Sequence, residues 1–171
     1  SIEIAETDGL TGLYKRWYFD SALISESQRA TRYGEPLSLI IMDIDNFRNF
    51  NNKYGHLIGD RVLRRVSEII KTTIPRYGVA ARYGGEELAV IMAGANIRNA
   101  FEFAELMRIR IRNEAKFPEL EDIITISSGV AEYGLNSAKT LEDLIKSADE
   151  ALYRAKQSGK DKVMCFGYLY K

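Results

Sequence analysis

Two short acidic stretches carry the chemistry open to this chain. The first is Ile41-Met42-Asp43-Ile44-Asp45, with two carboxylates two residues apart at the end of an apolar run. In an extended strand that spacing turns both to the same side. The apolar residues before Asp43 place its carboxylate at the polar end of a strand, where a ligand can reach it. The second is Tyr83-Gly84-Gly85-Glu86-Glu87, two glycines followed by two acids and then an apolar run. Glycines at a turn let a phosphate or another chain come close to the backbone. If this hairpin lies beside the Asp43 strand, three or four carboxylates converge. Like charges raise each other's pKa, and a divalent cation relieves the repulsion. An oxygen-only donor set, in a chain with one cysteine and one histidine, favours Mg²⁺ or Mn²⁺ over Zn²⁺. Two such ions are the common device for phosphoryl transfer. One lowers the pKa of an attacking hydroxyl, and both offset charge on the α-phosphate and the leaving pyrophosphate. Each stretch alone also reads as an ordinary turn or loop opening with solvated acids; the two together point to chemistry.

The elements that must hold these acids follow from periodicity. A helix is predicted over residues 15–32, stopping near Tyr33-Gly34-Glu35-Pro36. Residues 37–44 form a short apolar run typical of a buried strand. A helix over 59–74 has Val62, Leu63, Val66, Ile69 and Ile70 on one stripe and ends at Pro75 and Gly78. Strands over 79–83 and 88–92 are joined by Gly84-Gly85 as a hairpin. A helix over 97–115, a strand through Ile124, Ile126, Ser128 and Val130, a helix carrying Leu141 to Leu152 and a last strand over 162–166 complete the order. That order predicts an α+β fold, a central and mostly antiparallel sheet covered by helices. Residues 1–7 read as the end of an upstream linker or signalling helix, and 8–171 as one domain.

The chain has 24 Lys plus Arg and 24 Asp plus Glu, a net charge of zero. That balance gives no support to coating nucleic acid or an anionic membrane. No apolar stretch approaches the roughly 20 residues that span a bilayer, and the start is not a secretory signal. A single cysteine, Cys165, allows no internal disulfide and no cysteine-based zinc cluster, and fits a reducing compartment.

Several motifs in register resemble one family. Asp43-Ile44-Asp45, Asn51, Tyr54-Gly55-His56, Gly59-Asp60 and Arg82 to Glu87 resemble the GGDEF domain, the catalytic domain of diguanylate cyclases. So do the opening Thr7-Asp8-Gly9-Leu10-Thr11-Gly12-Leu13-Tyr14 and the late Ala148-Asp149-Glu150-Ala151-Leu152-Tyr153-Arg154-Ala155-Lys156. The resemblance spans about residues 8 to 163. It implies a fold like the palm of polymerases and nucleotidyl cyclases, and an enzyme that joins two GTP into cyclic di-GMP. It implies that Asp43, the carbonyl of Ile44, Glu86 and Glu87 hold two Mg²⁺ or Mn²⁺ ions per site, with Glu86 and Glu87 the catalytic acids. Asn51 and Asp60 read the guanine edge, where an Asp accepts from the N1–H and 2-amino groups that adenine lacks as a pair. His56 lies between them and is a further substrate contact. Gly84 and Gly85 admit substrate, and Arg48, Lys156 and Lys160 meet its phosphates. A homodimer closes the ring, under an upstream sensory domain. The domain faces the cytoplasm, where GTP is found, whether or not the full-length protein is anchored at a membrane.

The chain departs from the family pattern at a few places. Lys15-Arg16-Trp17 stands where Asn-Arg-Arg is usual, Asn52 where Asp is common, and Leu88 where Phe closes the name motif. Lys160-Asp161 replaces Arg-Asn, which keeps a cation but loses the bidentate fork. Pro75 and Gly78 occupy the Arg and Asp positions of a product-inhibition motif. The competing expectations are a degenerate domain that binds GTP or cyclic di-GMP without turnover, and a scaffold with a vestigial site.

Overall fold

The computed structural model describes residues 5–134 and 139–167. Part of the expected linker, residues 1–4, lies outside these, as do residues 168–171. The elements in chain order are α1 (Arg16–Tyr33), β1 (Leu37–Ile44), α2 (Phe47–Tyr54), α3 (His56–Thr73), β2 (Gly78–Arg82), β3 (Glu87–Ala93), α4 (Ile97–Glu114), β4 (Ile126–Glu132), α5 (Leu141–Gln157) and β5 (Val163–Cys165). The five strands form one sheet in the order β2-β3-β1-β4-β5. All neighbours are antiparallel except β4 and β5. The α+β expectation is met.

The continuous apolar run of β1 is explained by its central place, covered on both faces. Its even-numbered side chains Ile40, Met42 and Ile44 pack with Val62, Leu63, Val66 and Ile70 of α3 and with Ala104 and Met107 of α4. Its odd-numbered side chains Leu37, Leu39 and Ile41 pack with Phe19 and Leu23 of α1 and with Leu144, Ala148 and Leu152 of α5. The two faces therefore belong to different helix pairs, and the parity of a β1 residue decides which pair it meets. α5 comes very close to the sheet at Gly129. A Cβ there would lie 2.1 Å from the Ala148 carbonyl oxygen and 2.3 Å from the Leu152 amide.

One helix was not expected. Residues 47–54, FRNFNNKY, are rich in Asn, which favours turns over helix interiors, yet they form α2. Phe50 is buried, and Phe47 and Tyr54 pack beside it on the α3–α4 core. Their spacing of three and four residues supplies the apolar stripe. Gly55, with φ 89°, separates α2 from α3. As a result α3 starts at His56 rather than near Gly59. No helix among the described residues is long and apolar enough to cross a membrane.

Candidate active site

Asp43 and Asp45 continue the odd-numbered side of β1, so both meet α5. Lys156, in the last turn of α5, donates from Nζ to Asp43 Oδ1 at 2.8 Å, to Asp45 Oδ1 at 2.8 Å and to the Asp43 carbonyl at 3.3 Å. It is thus a paired, partly buried ammonium, not a solvated helix end. The two acids then part company. The Asp45 side chain is 1% exposed and also accepts bonds from Ser127 Oγ at 2.7 Å, Thr125 Oγ1 at 2.8 Å and the Asp161 amide at 3.0 Å. Burial pushes its carboxyl up, but the bonds from Lys156, Ser127, Thr125 and Asp161 outweigh burial and leave it below its ordinary value. Asp43 has no such shell. Burial raises its carboxyl above the usual range against the opposing pull of Lys156, with Glu86 and Asp45 adding repulsion.

Glu87 stands directly opposite Asp43 in the β1–β3 register. Directly opposed residues of antiparallel strands share a face, with Cβ atoms about 5 Å apart. Burial raises the Glu87 carboxyl, and repulsion from Asp43, Asp149 and Glu86 raises it further, against Arg16. Glu86, in the turn, is only partly exposed. Among the described residues, no three Asp, Glu, His or Cys side chains stand close enough to enclose a metal ion by themselves. The expected convergence of three or four acids is therefore narrowed. Asp43 and Glu87 face each other, Glu86 is close enough to repel both, and Asp45 is turned inward and bonded.

The hairpin turn is wider than a two-residue loop, because the amides of Tyr83 and Gly84 both donate to the Glu87 carbonyl, at 2.8 and 3.0 Å. Neither Gly84 nor Gly85 has a positive φ. A Cβ on Gly85 would meet nothing within 4 Å, and one on Gly84 would meet the Glu87 side chain at ordinary contact distance, Cβ at 3.4 Å and Oε1 at 3.5 Å. Neither the backbone path nor internal packing requires these glycines, which leaves close approach from outside as their reason.

Three side chains that hold this turn were not singled out from the sequence. Arg82 donates from Nε and Nη2 to the Gly85 carbonyl at 3.1 and 2.9 Å, and pairs through Nη1 with Asp8 at 3.3 Å. Asp8 accepts in turn from the amide and hydroxyl of Thr11, both at 2.9 Å. The opening motif therefore braces the acidic hairpin. Arg16 stacks its guanidinium over the Tyr83 ring at 3.7 Å and donates to the Tyr83 carbonyl at 3.3 Å. Both Asp8 and Arg82 lie in quoted motifs, so the available signal was motif membership; their contact across 74 residues is not readable from spacing.

The remaining candidates sit on α2, α3 and the loop after α5. Arg48 is exposed on the first turn of α2, and His56 is exposed at the start of α3. Asn51 lies against Gly59, where a Cβ would fall 1.7 Å from Asn51 Oδ1. That oxygen is buried and has no hydrogen-bond partner, a costly state unless a ligand donates to it. Asp60 follows on α3, partly exposed. Lys160 donates from Nζ to Asn46 Oδ1 at 2.5 Å, so it reaches the loop that joins β1 to α2. The acids of β1 and β3 and the cations Lys156 and Lys160 therefore gather at the end of the sheet where β1 stops. Ile44 ends β1 there, its side chain buried in the α3–α4 core.

The chain is similar to known proteins in sequence and in fold. The family described as diguanylate cyclase, GGDEF domain, matches residues 5–162. The response regulator PleD of Caulobacter vibrioides is 39% identical over 168 residues, which cover 96% of this chain and 37% of PleD. Diguanylate cyclase A of Treponema denticola is 37% identical over 168 residues, covering 95% of this chain and 44% of that protein. The chain thus spans less than half the length of these two relatives. Among solved structures, the GGDEF domain of DgcB from Caulobacter crescentus, in complex with c-di-GMP, superposes with a TM-score of 0.89 at 32% identity, covering 98% of this chain and 97% of that one.

Proposed function

The chain belongs to the GGDEF family of diguanylate cyclase domains, and from that membership we propose that it condenses two GTP molecules into cyclic di-GMP with release of two pyrophosphates. The observation that carries this reading is the opposition of Asp43 and Glu87 across β1 and β3, both with carboxyls raised by burial and by neighbouring acids. Such a pair suits Mg²⁺ or Mn²⁺, which bind through one or two protein carboxylates and complete their shell with phosphate and water. Asp43, the Ile44 carbonyl, Glu87 and Glu86 would hold the metal, which when bound acidifies the attacking 3′-hydroxyl and offsets charge on the α-phosphate.

The protein's own groups do the rest. Asn51 and Asp60 bind the guanine, and the orphaned Asn51 oxygen gains a donor from the base. The glycines of the hairpin let the triphosphate lie against the backbone. Arg48, Lys156 and Lys160 take up its negative charge. Glu86 receives the proton of the 3′-hydroxyl. The freed oxygen attacks the α-phosphorus of a GTP held by a second copy, and the bond to pyrophosphate breaks. Repetition with the roles exchanged closes the ring, so a homodimer is required. Positioning and fixed charge supply most of the rate. Incubating the purified chain with GTP and Mg²⁺, followed by chromatography, should yield cyclic di-GMP. Absence of product at high protein concentration and with a fused dimerising coiled coil would leave nucleotide binding without turnover as the better reading.

Gly59→Ala should separate binding from folding. The new methyl displaces the end of the Asn51 side chain, whose Oδ1 has no hydrogen bond to lose, and Ala favours a helix interior by up to about 1 kcal/mol over Gly. Stability should stay within about 1 kcal/mol of wild type in chemical denaturation, while GTP affinity falls about tenfold, the cost of losing one base contact. Unchanged GTP affinity would remove Asn51 from the base site.

Product inhibition should be missing at its usual place. Pro75 and Gly78 supply neither a guanidinium nor a carboxylate, and a Cβ on Gly78 would already fall 2.7 Å from Ile74 Cγ1. Calorimetry should find no tight cyclic di-GMP binding that Arg76→Ala removes.

A further inference from the structure

The loop between α5 and β5 follows an unusual backbone path. Gly159, Lys160 and Asp161 have φ values of 120°, 63° and 46° in succession. Left-handed conformations are unfavourable for residues with a Cβ and persist where the surroundings over-determine them. The surroundings here do so. The Lys160 amide donates to the Ala155 carbonyl at 3.0 Å, and the Asp161 amide to Asp45 Oδ2 at 3.0 Å. The Asp161 carboxylate accepts from Arg108 Nη1 at 3.1 Å and from Arg112, both on α4. Arg108 is fixed in its turn by a two-pronged bond to Glu105 at 2.8 and 3.0 Å. The product of these constraints is the placement of the Lys160 ammonium 2.5 Å from Asn46 Oδ1. Asn46 is itself left-handed, with φ 56°, and lies between the end of β1 and Arg48.

We infer that Asp161 is a positioning residue: clamped by Arg108 and Arg112, it holds the 159–161 loop in the path that aims Lys160 at the nucleotide's triphosphate. The inference rests on the reading of this site as a GTP site. A lysine is a point charge on a flexible stem and lacks the planar fork that would orient an arginine. Pinning the loop supplies the orientation that the side chain lacks. A neutral Asn at 161 could not pair ionically with two guanidinium groups, so the Lys160-Asp161 substitution works as a unit with α4.

A double-mutant cycle on binding distinguishes positioning from mere structural support. Calorimetry would use Mg²⁺ with a non-hydrolysable GTP analogue and, separately, GMP. Asp161→Asn should weaken the analogue about tenfold and leave GMP affinity unchanged. In the Lys160→Met background it should have no further effect on the analogue. If Asp161→Asn fails to fold, Arg112→Gln, which removes one surface guanidinium of the clamp, should show the same selectivity to a smaller degree. Equal losses for GMP and the analogue, an undiminished loss in the Lys160→Met background, or no loss at all would overturn the inference. A wild-type protein that binds neither nucleotide would instead overturn the GTP reading on which it rests.

Discussion

Glu87→Gln should lower cyclic di-GMP formation on the order of a thousandfold, the scale expected for removing a group that offsets transition-state charge, while making the folded protein more stable at neutral pH. The two effects share one cause. Burial lifts the Glu87 carboxyl, and Asp43, Asp149 and Glu86 lift it further. A carboxyl raised in the folded state takes up protons on folding. Its contribution to stability is therefore whole below the unfolded value and is lost as pH rises through the folded one. At neutral pH the ionised group opposes folding, and a glutamine of the same shape removes that opposition along with a ligand. The melting temperature of the variant should exceed that of wild type at neutral pH, and the gap should close as pH falls through the raised carboxylate range. Chromatographic product assays and thermal melts at several pH values read both effects. Retained turnover would take Glu87 out of the reaction, and a variant less stable at neutral pH would show that the opposed acids do not strain the fold.

The elements were legible where one physical signal sufficed. β1 announced itself as an apolar run because both its faces are covered, and α3 and α5 as stripes because only one face of each is. α2 was not legible, since its Asn-rich composition opposes a helix and only the packing of Phe47, Phe50 and Tyr54 outweighs that preference. In the site, the acids could be picked out by type and spacing, and the common side of Asp43 and Asp45 followed from strand parity. Their different fates did not. Asp45 is bonded inward because β4 brings Thr125 and Ser127 alongside it, and the pairing of distant strands leaves no trace in local spacing. The Asp43–Glu87 pairing depends on the register of β1 against β3, two strands with α2, α3 and β2 between them in the chain, so no local turn sets it. The braces from Asp8 to Arg82 and from Asp161 to Arg108 and Arg112 are long-range ion pairs, and nothing in composition or periodicity marks a charged residue as the partner of another so far away.

Lys156→Met should be the most destabilising single change at the site, at about 3 kcal/mol, the cost of breaking a buried ion pair by removing one partner. Lys156 lies 113 residues from Asp43 in sequence, and the close seating of α5 at Gly129 brings it there. Its side chain is 20% exposed and is shared by Asp43, at 21%, and Asp45, at 1%. Without it Asp45 keeps its bonds from Ser127, Thr125 and the Asp161 amide, but Asp43 keeps only its repulsive neighbours Glu86 and Asp45. Asp43 is already raised by burial and should rise further, so the variant should lose stability as pH increases through that range and recover most of it in acid. Turnover should fall as well, because Lys156 faces the substrate's phosphates in the proposed reaction. The same geometry makes a divalent cation and the Lys156 ammonium competitors for Asp43. Millimolar Mg²⁺ should therefore raise the melting temperature of Lys156→Met more than that of wild type. A variant as stable as wild type at neutral pH would show that Asp43 and Asp45 need no cation. An equal Mg²⁺ response in the two proteins would show that the metal does not bind through Asp43, and the proposed chemistry would lose its first ligand.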